Sequence, residues 1–136
     1  MVDNIKKFRY HYAMTKYCAI VASLTIDQNG EQFSPECLLN MAKTDIAGVN
    51  FLTYEDNEFV KQPITLTTIS VKQDTLYVEF DTNKPITALY AVPGIQILAT
   101  SLQEGVTVVE KCRLVNLVLT DSPVDMHLDK IKEINK

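Results

Sequence analysis

Three cysteines and two histidines are the side chains in this sequence best suited to nucleophilic or metal chemistry, and their spacing keeps them apart. Cys18, Cys37 and Cys112 are separated by 19 and 75 residues. A zinc or iron–sulfur site normally takes two ligands from one short CxxC-type loop, which is absent. An odd count excludes a complete intramolecular disulfide framework, and each cysteine has apolar neighbours, as in Tyr17-Cys18-Ala19 and Cys37-Leu38-Leu39. Three reduced, buried thiols acting as small hydrophobes are therefore expected, which suits a reducing, cytoplasmic setting. His11 lies in Phe8-Arg9-Tyr10-His11-Tyr12 and His127 between Met126 and Leu128. Either could activate a cysteine if the fold joined them, but nothing local does so. His11, among aromatics and a positive charge, is the better placed of the two.

Other constellations are equally sparse. Glu55, Asp56 and Glu58 form the densest acidic cluster, but without the register and central glycine of an EF-hand they read as a solvated loop. Gly30, Gly48, Gly94 and Gly105 stand singly, so none builds a phosphate-cradling loop. Tyr77 and Tyr90 could stack on bases beside Lys72 and Lys84, yet Asp74, Glu79 and Asp81 dilute that patch. GxSxG and HExxH are missing. The sequence thus singles out no catalytic, cofactor-binding or metal-binding residue, and no cofactor is expected.

Composition narrows the field further. The chain has 136 residues, 46% of them hydrophobic, with a net charge of −4. That length fits a single domain, 1–136, able to bury a core. Nine glycines and prolines in total exclude collagen-like and mucin-like chains. The negative field disfavours nonspecific nucleic-acid binding. The apolar run from Tyr17 to Ile26 spans about half a bilayer, so no membrane partner is expected. Charge is uneven. Residues 1–17 carry Lys6, Lys7, Arg9 and Lys16 against Asp3. Residues 27–58 carry seven acids, Asp27, Glu31, Glu36, Asp45, Glu55, Asp56 and Glu58, against Lys43. A solvated face explains this, and so would complementary patches that mate between copies.

The elements that must position these residues are mostly strands. The start reads as a helix to about Ala13, with Ile5, Phe8 and Tyr12 on one face, or as a strand with Phe8, Tyr10, Tyr12 and Met14 alternating. Lys16 to Asp27 is apolar on both faces and ends at the turn signal Asn29-Gly30. Ser34 as N-cap, Pro35 at N1 and Gly48 as stop predict a helix over 35–47. From residue 62 to 120 the pattern is β throughout. Leu76, Val78 and Phe80 face inward, short strands flank Pro93-Gly94, and a long run spans Val106 to Thr120. In that run Cys112 and Leu114 have one parity while Val115, Leu117 and Leu119 have the other, which requires a bulge or bend near 110–116. Ser122-Pro123 and the stripe Val124, Leu128, Ile131 predict a short C-terminal helix over 123–134, too short to stand alone and anchored by those three side chains.

The expected fold is therefore α+β: a mainly antiparallel β-sheet, either a sandwich or one strongly curved sheet, with a helix at about 35–47 and a short C-terminal helix. The curved-sheet form, wrapped around the 35–47 helix, resembles the hot-dog fold in element order and length. That resemblance implies an acyl thioesterase, a dehydratase or an acyl-ligand binder, with Glu36, Asn40 and Asp45 as the helix residues to inspect. The residues themselves favour a non-enzymatic binding or assembly protein. Two-sided apolar strands and opposite charge patches point to a homo-oligomer, with another protein or a small apolar ligand as the further classes of partner.

Overall fold

A computed structural model describes residues 14–125 and 128–134. Both readings of the N-terminal segment and both histidines lie outside these residues.

The chain folds into two sheets packed face to face. The strands are β1 (Thr15–Ser23), β2 (Glu31–Phe33), β3 (Asn50–Glu55), β4 (Glu58–Gln62), β5 (Thr65–Lys72), β6 (Thr75–Thr82), β7 (Tyr90–Gln103), β8 (Val106–Thr120) and β9 (Lys132–Glu133). The first sheet has the order β5-β6-β1-β9 and is antiparallel throughout. The second is mixed. β7 runs antiparallel along the whole of β8, while β2 and β3 pair parallel with the beginning and end of β8's other edge, and β4 closes a hairpin with β3. The sandwich, not the single wrapped sheet, is the form the chain takes.

The helix α1 (Pro35–Ala42) lies between β2 and β3 and flanks the middle of β8. Ser34 makes the junction. Its backbone N–H donates to the Val109 carbonyl at 3.0 Å, its hydroxyl donates to the Glu110 carbonyl at 3.1 Å, and its Oγ accepts from the Cys37 amide at 3.1 Å. The N-cap signal is thus satisfied as read, with Pro35 at the first helical position. The end is earlier than expected. Lys43 caps the helix, and Asp45 turns its carboxylate to the Ala47 amide to start a separate 3₁₀ turn, Ile46–Gly48. An Asp that can bond a nearby backbone amide competes with helix continuation.

One core joins both sheets and the helix. β1, β5 and β6 contribute Ala19, Val21, Leu66, Leu76, Val78 and Phe80; β3, β7 and β8 contribute Phe51, Ala91, Val109, Cys112, Leu114, Leu117 and Leu119; α1 contributes Cys37, Leu38 and Met41. Phe80 stacks with Tyr17 at 5.8 Å between ring centres and meets Phe51 of the opposite sheet at 4.8 Å. The parity change in β8 is resolved by a bulge. Gly94 pairs with Asn116 and Ile95 with Leu114, so Val115 is left over and faces outward, and both halves of the strand bury their apolar residues. β1 does the same at Val21, which brings Ala19, Val21 and Ala22 into the core and leaves Cys18 and Ile20 half-exposed on the outer face.

Three further expectations are corrected. Pro93-Gly94 does not divide two strands, because β7 is an edge strand whose proline needs no outward amide. A Cβ at Gly94 would lie 1.9 Å from Asn116 Oδ1, so a larger residue there would have to turn the Asn116 side chain away. The described residues of 123–134 form no helix. They run extended into β9, which pairs with β1, and the Ile131 and Ile134 amides donate to the Leu89 and Lys16 carbonyls at 2.8 Å each. A segment too short to hold a helix alone takes its backbone partners from the sheet edge instead. Of its three expected anchors, Leu128 is buried and Ile131 packs on the core, but Val124 is 46% exposed.

The cysteine expectation is also overturned. Cys37 of α1 and Cys112 of β8 form a disulfide, with their Cα atoms 5.9 Å apart. Only Cys18 is free. Apolar neighbours suit a buried disulfide as well as a buried thiol, and the parallel β2–α1 connection is what carries Cys37 to β8.

Candidate functional site

Where β1 ends, the two sheets no longer cover each other, and a cleft of about 240 Å³ opens between them. Its apolar walls come from Val21 and Ala22 of β1, Phe33 of β2 and Val109 of β8. Val92, Pro93, Ile95 and Ile97 of β7 face them, and Leu128 closes one side. The rim carries Asp27, Glu31 and Asp125, with Thr25 and Gln32, and among the described residues no Lys, Arg or Cys.

The rim is built by the Asp27-Gln28-Asn29-Gly30 turn and the chain after β8. Gly30 takes φ +73°, and Asp27 Oδ1 accepts from the Asn29 and Glu31 amides at 2.8 and 3.0 Å. This Asx-type turn is what the Asn-Gly signal foretold. Gln32 Nε2 donates to the Leu24 carbonyl at 2.6 Å, holding β2 against the chain leaving β1. From the other side the Gln28 amide donates to the Val124 carbonyl at 2.9 Å. Asp125 accepts from Ser23 Oγ at 2.7 Å and Thr25 Oγ1 at 3.1 Å. The segment that was expected to be a helix is therefore a strap along the cleft.

A cavity of this size exceeds the roughly 150 Å³ that holds benzene in an apolar protein interior. It suits one aromatic or branched aliphatic group, and the three carboxylates favour a positive charge beside it. Among the described residues its lining contains no cysteine and no residue with a basic side chain. Sequence reading named Asp27, Glu31 and the Asn-Gly turn, but gave no signal that Asp125 would join them across a separation of about a hundred residues.

The remaining candidates are dispersed. Glu36 and Asp45 are exposed and Asn40 is half-buried, and none of the three lines this cleft or the second one of about 190 Å³ beside Thr82 and Pro85. Glu55, Asp56 and Glu58 sit at the β3–β4 turn, where Asp56 and Asn57 take positive φ, and no group of three potential metal ligands occurs among the described residues. The seven acids of 27–58 are thus spread over separate regions, with only Asp27 and Glu31 at the cleft.

On the outer face of the first sheet, Cys18 lies beside Tyr77 and opposite Glu79. The Tyr77 hydroxyl donates to Glu79 Oε2 at 2.7 Å, and Lys72 Nζ sits 3.9 Å from the ring centre. The cation covers the face on which a base would have to stack. Burial, then the bond to Glu79 and the proximity of Cys18, push the Tyr77 phenol far above its ordinary value of 10.0. The folded state therefore holds this proton more tightly than the unfolded chain. Its stabilising contribution is complete below pH about 10 and is lost as pH rises above that. In an ultraviolet titration one tyrosine component is expected to ionise well above the ordinary phenol value, and Tyr77→Phe should delete that component. Unchanged absorbance steps in the variant would refute this.

Comparison of the chain with protein families, curated proteins and solved structures finds no match in any of the three. The fold defines the chain by architecture alone, as a mixed β-sandwich with a disulfide-clipped helix and a cleft at one end. No helix among the described residues is long and apolar enough to cross a membrane.

Proposed function

We propose that this is a non-enzymatic binding or assembly protein that works as a homo-oligomer. The observation that carries this reading is the apolar cleft with its carboxylate rim, which offers shape and charge to a partner. Exposed apolar side chains on β7 support it: Ile97, Leu98 and Leu102 are 47%, 54% and 75% accessible on a strand paired along one edge only. Edges of this kind are where sheets recruit partners. Light scattering at micromolar concentration tests the reading. A mass of two or more chains is expected, and a monomeric mass would overturn it.

The cleft also favours a second reading, an acyl-ligand binder, because its walls suit a short aliphatic chain. Hydrolysis or saturable binding of acyl thioesters by the monomer would favour this reading over the first. A cytoplasmic location rested on three free thiols. With Cys37 and Cys112 paired, an oxidising setting is the better proposal.

A further inference from the structure

Among the described residues, the two sheets guard every edge but one. In the first sheet α1 and the 3₁₀ turn pack against β5. At its other edge lies β9, only Lys132 and Glu133, with more of β1 against β7. In the second sheet β2 has three residues, among them Glu31, and β4 has five, with Glu58 and Lys61. Short length, charge and a covering helix are the devices by which sheets avoid pairing with other chains. The second half of β7 has none of them. The strand is 14 residues long, and no charged residue occurs anywhere between Lys84 and Glu104. Among the described residues β7 pairs with β8 alone, and its Ile97, Leu98 and Leu102 are exposed.

We propose that residues 97–103 of β7 pair antiparallel with the same stretch of a second copy, joining two five-stranded sheets into one. This rests on the homo-oligomer reading and names its junction. The charge pattern selects the occupant. In a two-fold contact the same patch meets itself, so a charged edge repels its copy and a neutral edge does not. A partner recognised by charge would find nothing to bind on this stretch. Pairing runs antiparallel because a two-fold axis through the strand edge reverses the strand's direction. The stretch lies beyond Pro93, which has no amide to offer, and ends at the turn of Glu104 and Gly105. Ile97 pairs with Cys112 and Thr100 with Val109, so the register with β8 is the same on both sides of the irregularity at Leu98 and Ala99, and the strand is not divided there. Its length exceeds the usual strand of about five or six residues. The centre falls at Thr100, which sets Leu98 of each copy opposite Leu102 of the other and withdraws all four leucines from water.

The test uses the full-length chain, with light scattering and amide hydrogen exchange as readouts. Leu98→Lys with Leu102→Lys puts charge on the exposed edge, away from the core, and should halve the wild-type mass with an unchanged circular dichroism spectrum. Leu39→Lys, at a similarly exposed position on α1, controls for added charge and should keep the wild-type mass. In the wild type the amides of residues 97–103 should all resist exchange, because both edges of the strand are then bonded. In the double variant about every second one should exchange freely, as on an open edge. If the double variant keeps the wild-type mass, or the control falls as far, this junction is overturned while the homo-oligomer reading stands. Full protection of the same amides in the double variant would also overturn it, because the edge would then be covered within one chain. If the wild type is itself monomeric, both are overturned.

Discussion

Phe80→Ala should cost about 3–5 kcal/mol of folding stability, the usual range for removing a fully buried aromatic ring. Phe80 has no solvent exposure, and its ring is the link between Tyr17 on the same sheet and Phe51 on the facing one. Truncation therefore opens a void at the sandwich midline, where neither sheet can collapse inward without moving its paired strands. It also removes two aromatic contacts, worth about 0.5–1.5 kcal/mol each beyond area burial. A domain of this size has about 5–15 kcal/mol in total, so the variant is expected near the edge of stability. Urea unfolding should show a much lower midpoint with a similar slope. Phe80→Leu, which fills most of the space, should lose clearly less. A Phe80→Ala midpoint within error of the wild type would mean that the two sheets are not held together at this point.

The second large effect belongs to the Cys37–Cys112 disulfide. It closes a loop of 75 residues, which by loop-closure entropy corresponds to about 4.5 kcal/mol, within the 2–5 kcal/mol typical of native disulfides. The enclosed stretch holds all of β3 to β7, so in the unfolded chain the crosslink restrains more than half of the molecule. Both cysteines are buried, with 0% and 4% exposure, so reductant alone should open the bond slowly. Peptide mapping without reductant should find Cys37 joined to Cys112 and Cys18 free to alkylate. Reduction under denaturing conditions, followed by refolding with the thiols blocked, should lower the urea midpoint markedly. Alkylation of all three cysteines in unreduced, unfolded protein would show that the bond does not form.

The same residues show where sequence reading succeeded and where it stopped. Ser34-Pro35 started a helix because a cap bonds to amides three residues away, a purely local interaction. Leu76, Val78 and Phe80 buried themselves because a period of two survives in any sheet that has one face covered. The changed parity after Leu114 required a bulge whatever the partner strand, and Val115 supplies it. The C-terminal stripe misled for a related reason. Val124, Leu128 and Ile131 have helical spacing, but spacing does not say whether a free sheet edge is near. Here β1 offers one, and its hydrogen bonds displace the helix. The β3–β4 hairpin went unread although Phe51, Thr53 and the Asp56-Asn57 turn lie in order, because the acids around the turn drew the reading toward a loop.

By itself the sequence determined what depends on neighbours a few residues apart: the helix start, the tight turns, the strand faces and the need for a bulge. It also determined the two opposed charge stretches, since charge is a property of composition. Only the tertiary structure decided which residues far apart in sequence meet. The parallel pairing of β2 and β3 with β8 placed α1 beside that strand and brought Cys37 to Cys112. The pairing of the last described residues with β1 and the Leu89 carbonyl accompanies the hydrogen bonds of Asp125 to Ser23 and Thr25, which complete the acidic rim of the cleft. Such contacts are fixed by how two sheets cover each other's apolar faces, a global packing condition that no local spacing encodes.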